Sequence, residues 1–186
     1  MTEYDRTELL SFKKCFIVDK HELNPIPRGV IRKIYALFFS PRYSMPVVMR
    51  LTQFYATKGK YGKIMAHMLL RFNQVINNFS YGLNPKIAAG VVFHHPGVCI
   101  TSKTIIEEGV HIYNNVTFGA TNGQAPYVKK NAKIASHSIV IGGITVGDGA
   151  IVAPGSVVVK DVPDKKVVAG VPAKILCDVT DENYRF

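Results

Sequence analysis

The chain has 186 residues, is 47% hydrophobic and 19% charged, and carries 23 Lys plus Arg against 13 Asp plus Glu, a formal charge of +10. This apolar content supports a real core in one domain or two small ones and excludes an intrinsically disordered chain. Three widely spaced cysteines, Cys15, Cys99 and Cys177, make neither a disulfide framework nor a CxxC metal pair, so a reducing cytoplasm is the default expectation. The longest apolar run of the N-terminal half, Ile34 to Phe39, is far short of the ~18 residues of a transmembrane helix, and MTEYDRTELL is too polar for a signal peptide.

Residues 1–27 are polar, end in NPIPR and read as an irregular lead-in. From Gly29 to about Phe79 the apolar residues recur at helical spacing: Val30, Ile34, Leu37 and Phe38, then Val47, Val48 and Leu51, then Ile64, Met68, Leu69, Phe72, Val75 and Ile76. Pro41 and Pro46, and again Gly59 and Gly62, break the pattern, which predicts about three helices. Basic residues sit between the apolar ones. Residues 1–80 hold 13 Lys/Arg and 5 Asp/Glu, against 10 and 8 in residues 81–186, and no acidic residue occurs between Glu22 and Glu107. Nucleic acid, an anionic membrane surface and a phosphorylated small molecule all fit such a bias, while a solvated face over an ordinary helical core is the plain reading.

After Tyr81 the period changes to six. Ile100, Ile106, Ile112 and Phe118 are followed, after an interruption, by Val128, Ile134, Val140, Val146, Val152 and Val158, each preceded two positions earlier by a residue that is usually small or branched. A chain that turns a corner every six residues has this period; a helix or an ordinary strand does not. Three such turns make a triangular coil of ~18 residues with the aliphatic side chains stacked inside and coils ~4.8 Å apart, a left-handed parallel β-helix preceded by an α-helical segment. The domain reading is therefore a basic helical segment over 1–80, the β-helix over 81–176 and a tail over 177–186.

Two departures from the period stand out. Phe118 to Val128 spans ten residues where six would serve, which predicts a loop projecting over 119–127, and Phe93 to Ile100 spans seven, which puts one extra residue near His94-His95-Pro96-Gly97. Function concentrates where a loop leaves a rigid scaffold. Of six histidines, His21 and His67 read as structural, whereas a histidine at the His94–His95 slip is suited to act as a general base toward a hydroxyl. His111 and His137 occupy other places in the coil cycle and need not converge with His95 within one subunit; three histidines from neighbouring subunits could bind zinc, but the spacing for this is missing.

The closing stretch GSVVVKDVPDKKVVAGVPAK, with GVVFHHPGVCI and NNVTFGAT, resembles the hexapeptide-repeat acyltransferases, in particular the serine acetyltransferase family and the related O-acetyltransferases of surface-polysaccharide clusters. The resemblance implies a homotrimer or a dimer of trimers, with acetyl-CoA in the groove between adjacent subunits and direct attack of an acceptor hydroxyl on the thioester. It also implies that His95 is the base, counted from Phe93, or His94, counted from Val116–Thr117. Gly119, Ala120, Ala135, Ser136, Ala153 and Pro154 match the small positions along pantetheine; Lys160, Lys165, Lys166 and Lys174 are candidates for the CoA phosphates and Pro172 for the adenine. No metal is expected.

Serine acetyltransferases carry an aspartate before an HP pair, an aspartate before the catalytic histidine and an Arg-His pair closing the loop; this chain reads YGLNP, His94 and GQAPY at those places. Asn84 is then the candidate to orient the base, and Asn122 and Tyr127 are the loop residues available to an acceptor. The expectation drawn from these departures is O-acetylation of a saccharide in surface-polysaccharide synthesis, in the cytoplasm or at the inner face of the membrane. The alternatives are a serine acetyltransferase, a metal-dependent carbonic anhydrase of the hexapeptide type and a non-catalytic trimeric scaffold. Nucleic-acid binding has no recognised motif to support it.

Overall fold

A computed structural model describes residues 29–83 and 85–181; the predicted lead-in, His21 and Asn84 lie outside the described residues. Three helices come first: α1 (Val30–Phe39), α2 (Pro41–Ala56) and α3 (Gly59–Asn77). Pro41 opens α2 behind Ser40, where a missing amide removes no helical bond. Pro46 and Gly62 do not break the helices as their propensities predict. Pro46 lies inside α2, whose Met45, Val48 and Met49 are buried, so packing outweighs the loss of one intrahelical bond. Gly62 lies inside α3 because a Cβ there would stand 2.4 Å from the Tyr55 carbonyl oxygen; the glycine lets the two helices approach. Asn78 ends α3 in the left-handed conformation, with φ of 47°.

From Ser80 onward the chain winds through three parallel faces. The first holds β1 (Ser80–Tyr81), β4 (Cys99–Ile100), β7 (Thr117–Gly119), β10 (Ile139–Ile141) and β13 (Val157–Val158). The second holds β2 (Lys86–Ile87), β5 (Ile105–Ile106), β8 (Tyr127–Val128) and β11 (Thr145–Val146). The third holds β3 (Val92–Phe93), β6 (His111–Ile112), β9 (Lys133–Ile134) and β12 (Ile151–Val152), and ends in β14 (Lys166–Gly170) with the antiparallel β15 (Ala173–Asp178). All ten predicted repeat positions are in the core, together with Tyr81, Ile87 and Phe93 above them and Val168 below. At the corners Val98, Thr104, Val110, Val116, Ala132, Ser138, Ala150 and Ser156 are buried, where a larger side chain would hold neighbouring faces apart.

The pairing register measures the departures from the period. Consecutive coils are offset by 19 residues where Phe93 pairs with Ile112, by 22 where Ile106 pairs with Val128, and by 18 where Val140 pairs with Val158. One extra residue in the first coil and four in the second are what the sequence spacing requires.

Helices and β-helix are joined by buried polar groups. Arg50, 2% exposed, donates from Nη1 to the Ile87 carbonyl (2.8 Å) and from Nη2 to the Ala88 carbonyl (2.7 Å), and so bonds α2 to the first coil. Ser44 Oγ donates to Asn77 Oδ1 (2.7 Å), Asn77 Nδ2 to Asn73 Oδ1 (2.6 Å), and Asn73 Nδ2 to the Met45 carbonyl (3.1 Å) and the Tyr81 hydroxyl (3.3 Å). The Tyr81 hydroxyl also lies 2.9 Å from Thr52 Oγ1. Phe79, fully buried, packs against the rings of Tyr81 and Phe93 and closes the end of the aliphatic stack.

Two outcomes follow. Arg50→Ala leaves two buried carbonyls without their donor and should lower stability by about 2–3 kcal/mol, read from the urea midpoint. Burial holds the Tyr81 phenol above its ordinary value, against the opposing hydrogen bonds from Thr52 and Asn73. The neutral phenol is thus favoured in the fold, and its contribution is complete below the unfolded-state value of about 10 and is lost as pH rises through the raised one. Tyr81→Phe should cost about 1–2 kcal/mol at neutral pH and make stability fall less steeply above about pH 10 than in the parent protein.

Candidate active site

The edge from the third face to the first gathers six of the predicted site residues. Four successive corners lie there: residues 94–98, 113–116, 135–138 and 153–156. His94, His95, Ala135, Ser136, Ala153 and Pro154 are therefore stacked along one edge, over about 14 Å for three coil steps.

The His94 backbone donates to the Ile112 carbonyl (2.9 Å), continuing the β3–β6 ladder by one residue. With Phe93 opposite Ile112, the next residues, His94 and Tyr113, meet face to face: their rings are 4.3 Å apart and 9° from parallel. The residue before Ile112 is His111, and His94 Nε2 lies 2.9 Å from His111 Nδ1, one nitrogen donating and the other accepting. His94 is thus half-buried and held, whereas His95 turns out at the corner and is exposed. Pro96 and Gly97 bring the chain back. Gly97 has φ of 93° and stands over Asn115, whose Oδ1 would be 2.1 Å from an added Cβ.

Lower on the edge, Ser136 Oγ donates to Asn114 Oδ1 (2.6 Å) and Asn115 Nδ2 to His137 Nε2 (3.1 Å). Gly97, Asn115, His137 and Gly155 follow one another down this edge, and all four have positive φ. His137 is accordingly the left-handed corner residue of its coil, a conformation that asparagine, aspartate and histidine adopt more readily than most. His67 Nδ1 donates to the Lys63 carbonyl of its own helix (2.7 Å).

The remaining predicted residues lie elsewhere in the protomer. Gly119 ends β7 against Ile141, 2.6 Å from where a Cβ would be, and Ala120 and Asn122 follow it on the edge between the first and second faces, where Lys160 also lies. The predicted loop is a two-residue hairpin: Thr121 and Gln124 exchange backbone hydrogen bonds of 2.9 and 3.0 Å, and Asn122 and Gly123 both have positive φ. Asn-Gly is the sequence signal for this turn. Lys103 Nζ donates to the Gly123 carbonyl (2.9 Å) and ties the tip to the coil above. Tyr127 lies in β8, beyond the hairpin, and its hydroxyl donates to the buried Glu107 carboxylate. Pro172 and Lys174 are exposed at the β14–β15 hairpin, at the far end from the histidines, as Lys165 and Lys166 are near it. The His94–His111 contact is the pairing that spacing alone did not reveal. Among the described residues no group of three or more His, Cys, Asp or Glu is arranged to hold a metal ion.

No family model matches the chain. Among curated proteins it is 33% identical over 129 residues to the serine acetyltransferase of Buchnera aphidicola subsp. Schizaphis graminum, covering 65% of this chain and 48% of that protein. It is 34% identical over 111 residues to the serine acetyltransferase of Escherichia coli K12, covering 56% and 41%. The chain therefore spans about half the length of the curated relatives it matches. Among solved structures, a serine acetyltransferase in complex with CoA superposes with a TM-score of 0.75 at 25% identity, covering 89% of this chain and 70% of that one. The fold is the left-handed parallel β-helix with an N-terminal helical segment. These likenesses support the hexapeptide-repeat acetyltransferase family. They also correct one expectation: the relatives are serine acetyltransferases, not polysaccharide O-acetyltransferases, so the acceptor inferred from the missing acidic residues is overturned.

The glycine of the first corner gives a test of this geometry. Gly97→Ala introduces a Cβ into Asn115 at a positive φ and should lower stability by about 1–3 kcal/mol, with faster amide exchange over residues 94–98 and 113–116 than elsewhere in the β-helix.

Proposed function

We propose that the protein is an acetyl-CoA-dependent O-acetyltransferase whose acceptor is L-serine. The observation that carries this reading is the juxtaposition, on a β-helix like that of a CoA-bound serine acetyltransferase, of a histidine pair and a run of small residues on one edge. His95 is the base of this mechanism. Exposed at the corner, it removes the acceptor's hydroxyl proton as the oxygen attacks the thioester carbonyl; the C–S bond breaks, and the imidazolium returns the proton to the departing CoA sulfur. His94, stacked on Tyr113 and bonded to His111, is the fixed wall beside it.

Ala135, Ser136, Ala153 and Pro154 leave room for pantetheine on the histidine edge, with backbone amides as its partners and as donors to the thioester oxygen. Gly119, Ala120, Asn122 and Lys160 lie on a different edge of the protomer. A homotrimer supplies both edges to one groove, the neighbouring subunit presenting the second beside the first. Lys160, Lys174 and Pro172 are then the residues for the phosphates and adenine of CoA.

Purified protein should release thiol from acetyl-CoA on addition of L-serine, with O-acetylserine as product; no release with L-serine would overturn the reading. His95→Ala should lower kcat/KM by about 10²–10⁴-fold with an unchanged subunit number in light scattering. If His94→Ala does this and His95→Ala does not, the base is His94.

A further inference from the structure

The face of the helical segment turned away from the β-helix is apolar and cationic at once. At 100° per residue, Tyr61, Ile64, Met65, Met68, Phe72, Val75 and Ile76 of α3 fall within an arc of about 120°. The side of α3 that holds Gly62, Ala66, Asn73 and Asn77 is the buried one. The apolar arc is a second, outward stripe, with Tyr61 86% and Val75 79% exposed. Helix α1 extends it: the Phe38 ring meets Phe72 edge-on at 6.0 Å, and Ile31, Tyr35, Phe38 and Phe39 are all exposed. Arg32, Lys58, Lys60, Lys63 and Arg71 are exposed on the same two helices and the turn before α3.

What could cover this face is constrained by charge. The sequence has no acidic residue from 23 to 106, so nothing on these helices neutralises the flanking cations. A second copy docking here would bring the same cations against them. An apolar stripe bordered by Lys and Arg fits a surface that is itself apolar beneath and anionic above. No helix of the described residues is long and apolar enough to cross a membrane, so such a contact lies in the plane of the interface.

We propose that the outer face of α1 and α3 docks on the surface of an anionic lipid bilayer, with Ile64, Met68 and Val75 inserted among the acyl chains and Lys58, Lys60 and Arg71 at the headgroups. The contact is independent of the acetyl-transfer reading and uses none of its residues.

Co-sedimentation with vesicles tests it. Full-length protein should pellet with phosphatidylcholine vesicles containing about 30% phosphatidylglycerol at about 50 mM NaCl, and binding should drop at least about tenfold at about 500 mM NaCl or with phosphatidylcholine alone. The double variant Ile64→Glu, Met68→Glu should lose binding by at least about tenfold while keeping its helical circular dichroism and thiol release. Failure of the parent protein to pellet with the anionic vesicles at low salt overturns the proposal. So does a lower subunit number for the double variant, which would assign the face to another copy of the chain.

Discussion

Everything outward-facing on this β-helix is positioned by the stack of aliphatic side chains inside it. Once Ile100 lies under Tyr81 and Phe118 under Ile100, the amides on either side of each inward residue bond carbonyls of the next coil, as Cys99 does to Val116 and Thr101 to Phe118, and sliding a strand by one residue would turn its inward side chain outward. Extra residues can therefore enter only at corners. The single extra residue of the first coil and the four of the second do so, and each changes what the surface presents. The first changes the step between Phe93 and Ile100, so that the corner carries two histidines, one locked against the coil below and one turned out. The second becomes the Asn122–Gly123 hairpin. A rigid ladder thus converts small insertions into local chemistry without disturbing the coils on either side.

Most of this architecture was legible in the sequence, because a six-residue period carried by ten large apolar residues is the mark of a chain that turns a corner every six residues. The helices were legible in number but not in their interruptions. Propensity alone makes proline and glycine breaks, whereas Pro46 is retained inside α2 by the buried residues around it, and Gly62 is inside α3 because the neighbouring helix comes too close for a side chain. The candidate site was legible to the level of its corner. His94 and His95 were singled out by the slip in the period, but the partner of His94 depends on which residues become neighbours across a coil boundary offset by 19, not 18. Tyr127 shows what spacing leaves out: it reads as a loop residue, yet its backbone belongs to a strand and its hydroxyl donates to Glu107.

The acceptor was misjudged for a related reason. Absent carboxylates in a linear stretch read as an absent counter-charge for an ammonium group. In the proposed trimer the groove takes polar groups from more than one edge, and a single-chain spacing argument does not see them together.

The charge of +10 is divided by the structure into parts with different causes. Arg50 contributes to the fold: its guanidinium is buried and satisfies carbonyls of the first coil, a use for which the planar fork of arginine suits it better than lysine. Lys103 binds the hairpin tip. The exposed cations of α1, the α2–α3 turn and α3 serve neither purpose; they line an outward apolar stripe on a segment that lacks any acidic residue. Solubility alone is served as well by mixed signs, and a core-facing helix needs one apolar side, not two. The inner side of α3 is already spent on α2 through Gly62, Ala66 and the Asn73–Asn77 network, and Asn78 at its end bonds through its carbonyl to Gly97 of the histidine corner (3.0 Å). The outer stripe is thus carried on a helix whose position is set by the same corner that holds His94 and His95, so whatever it rests on is held in a fixed relation to the edge that carries the two histidines.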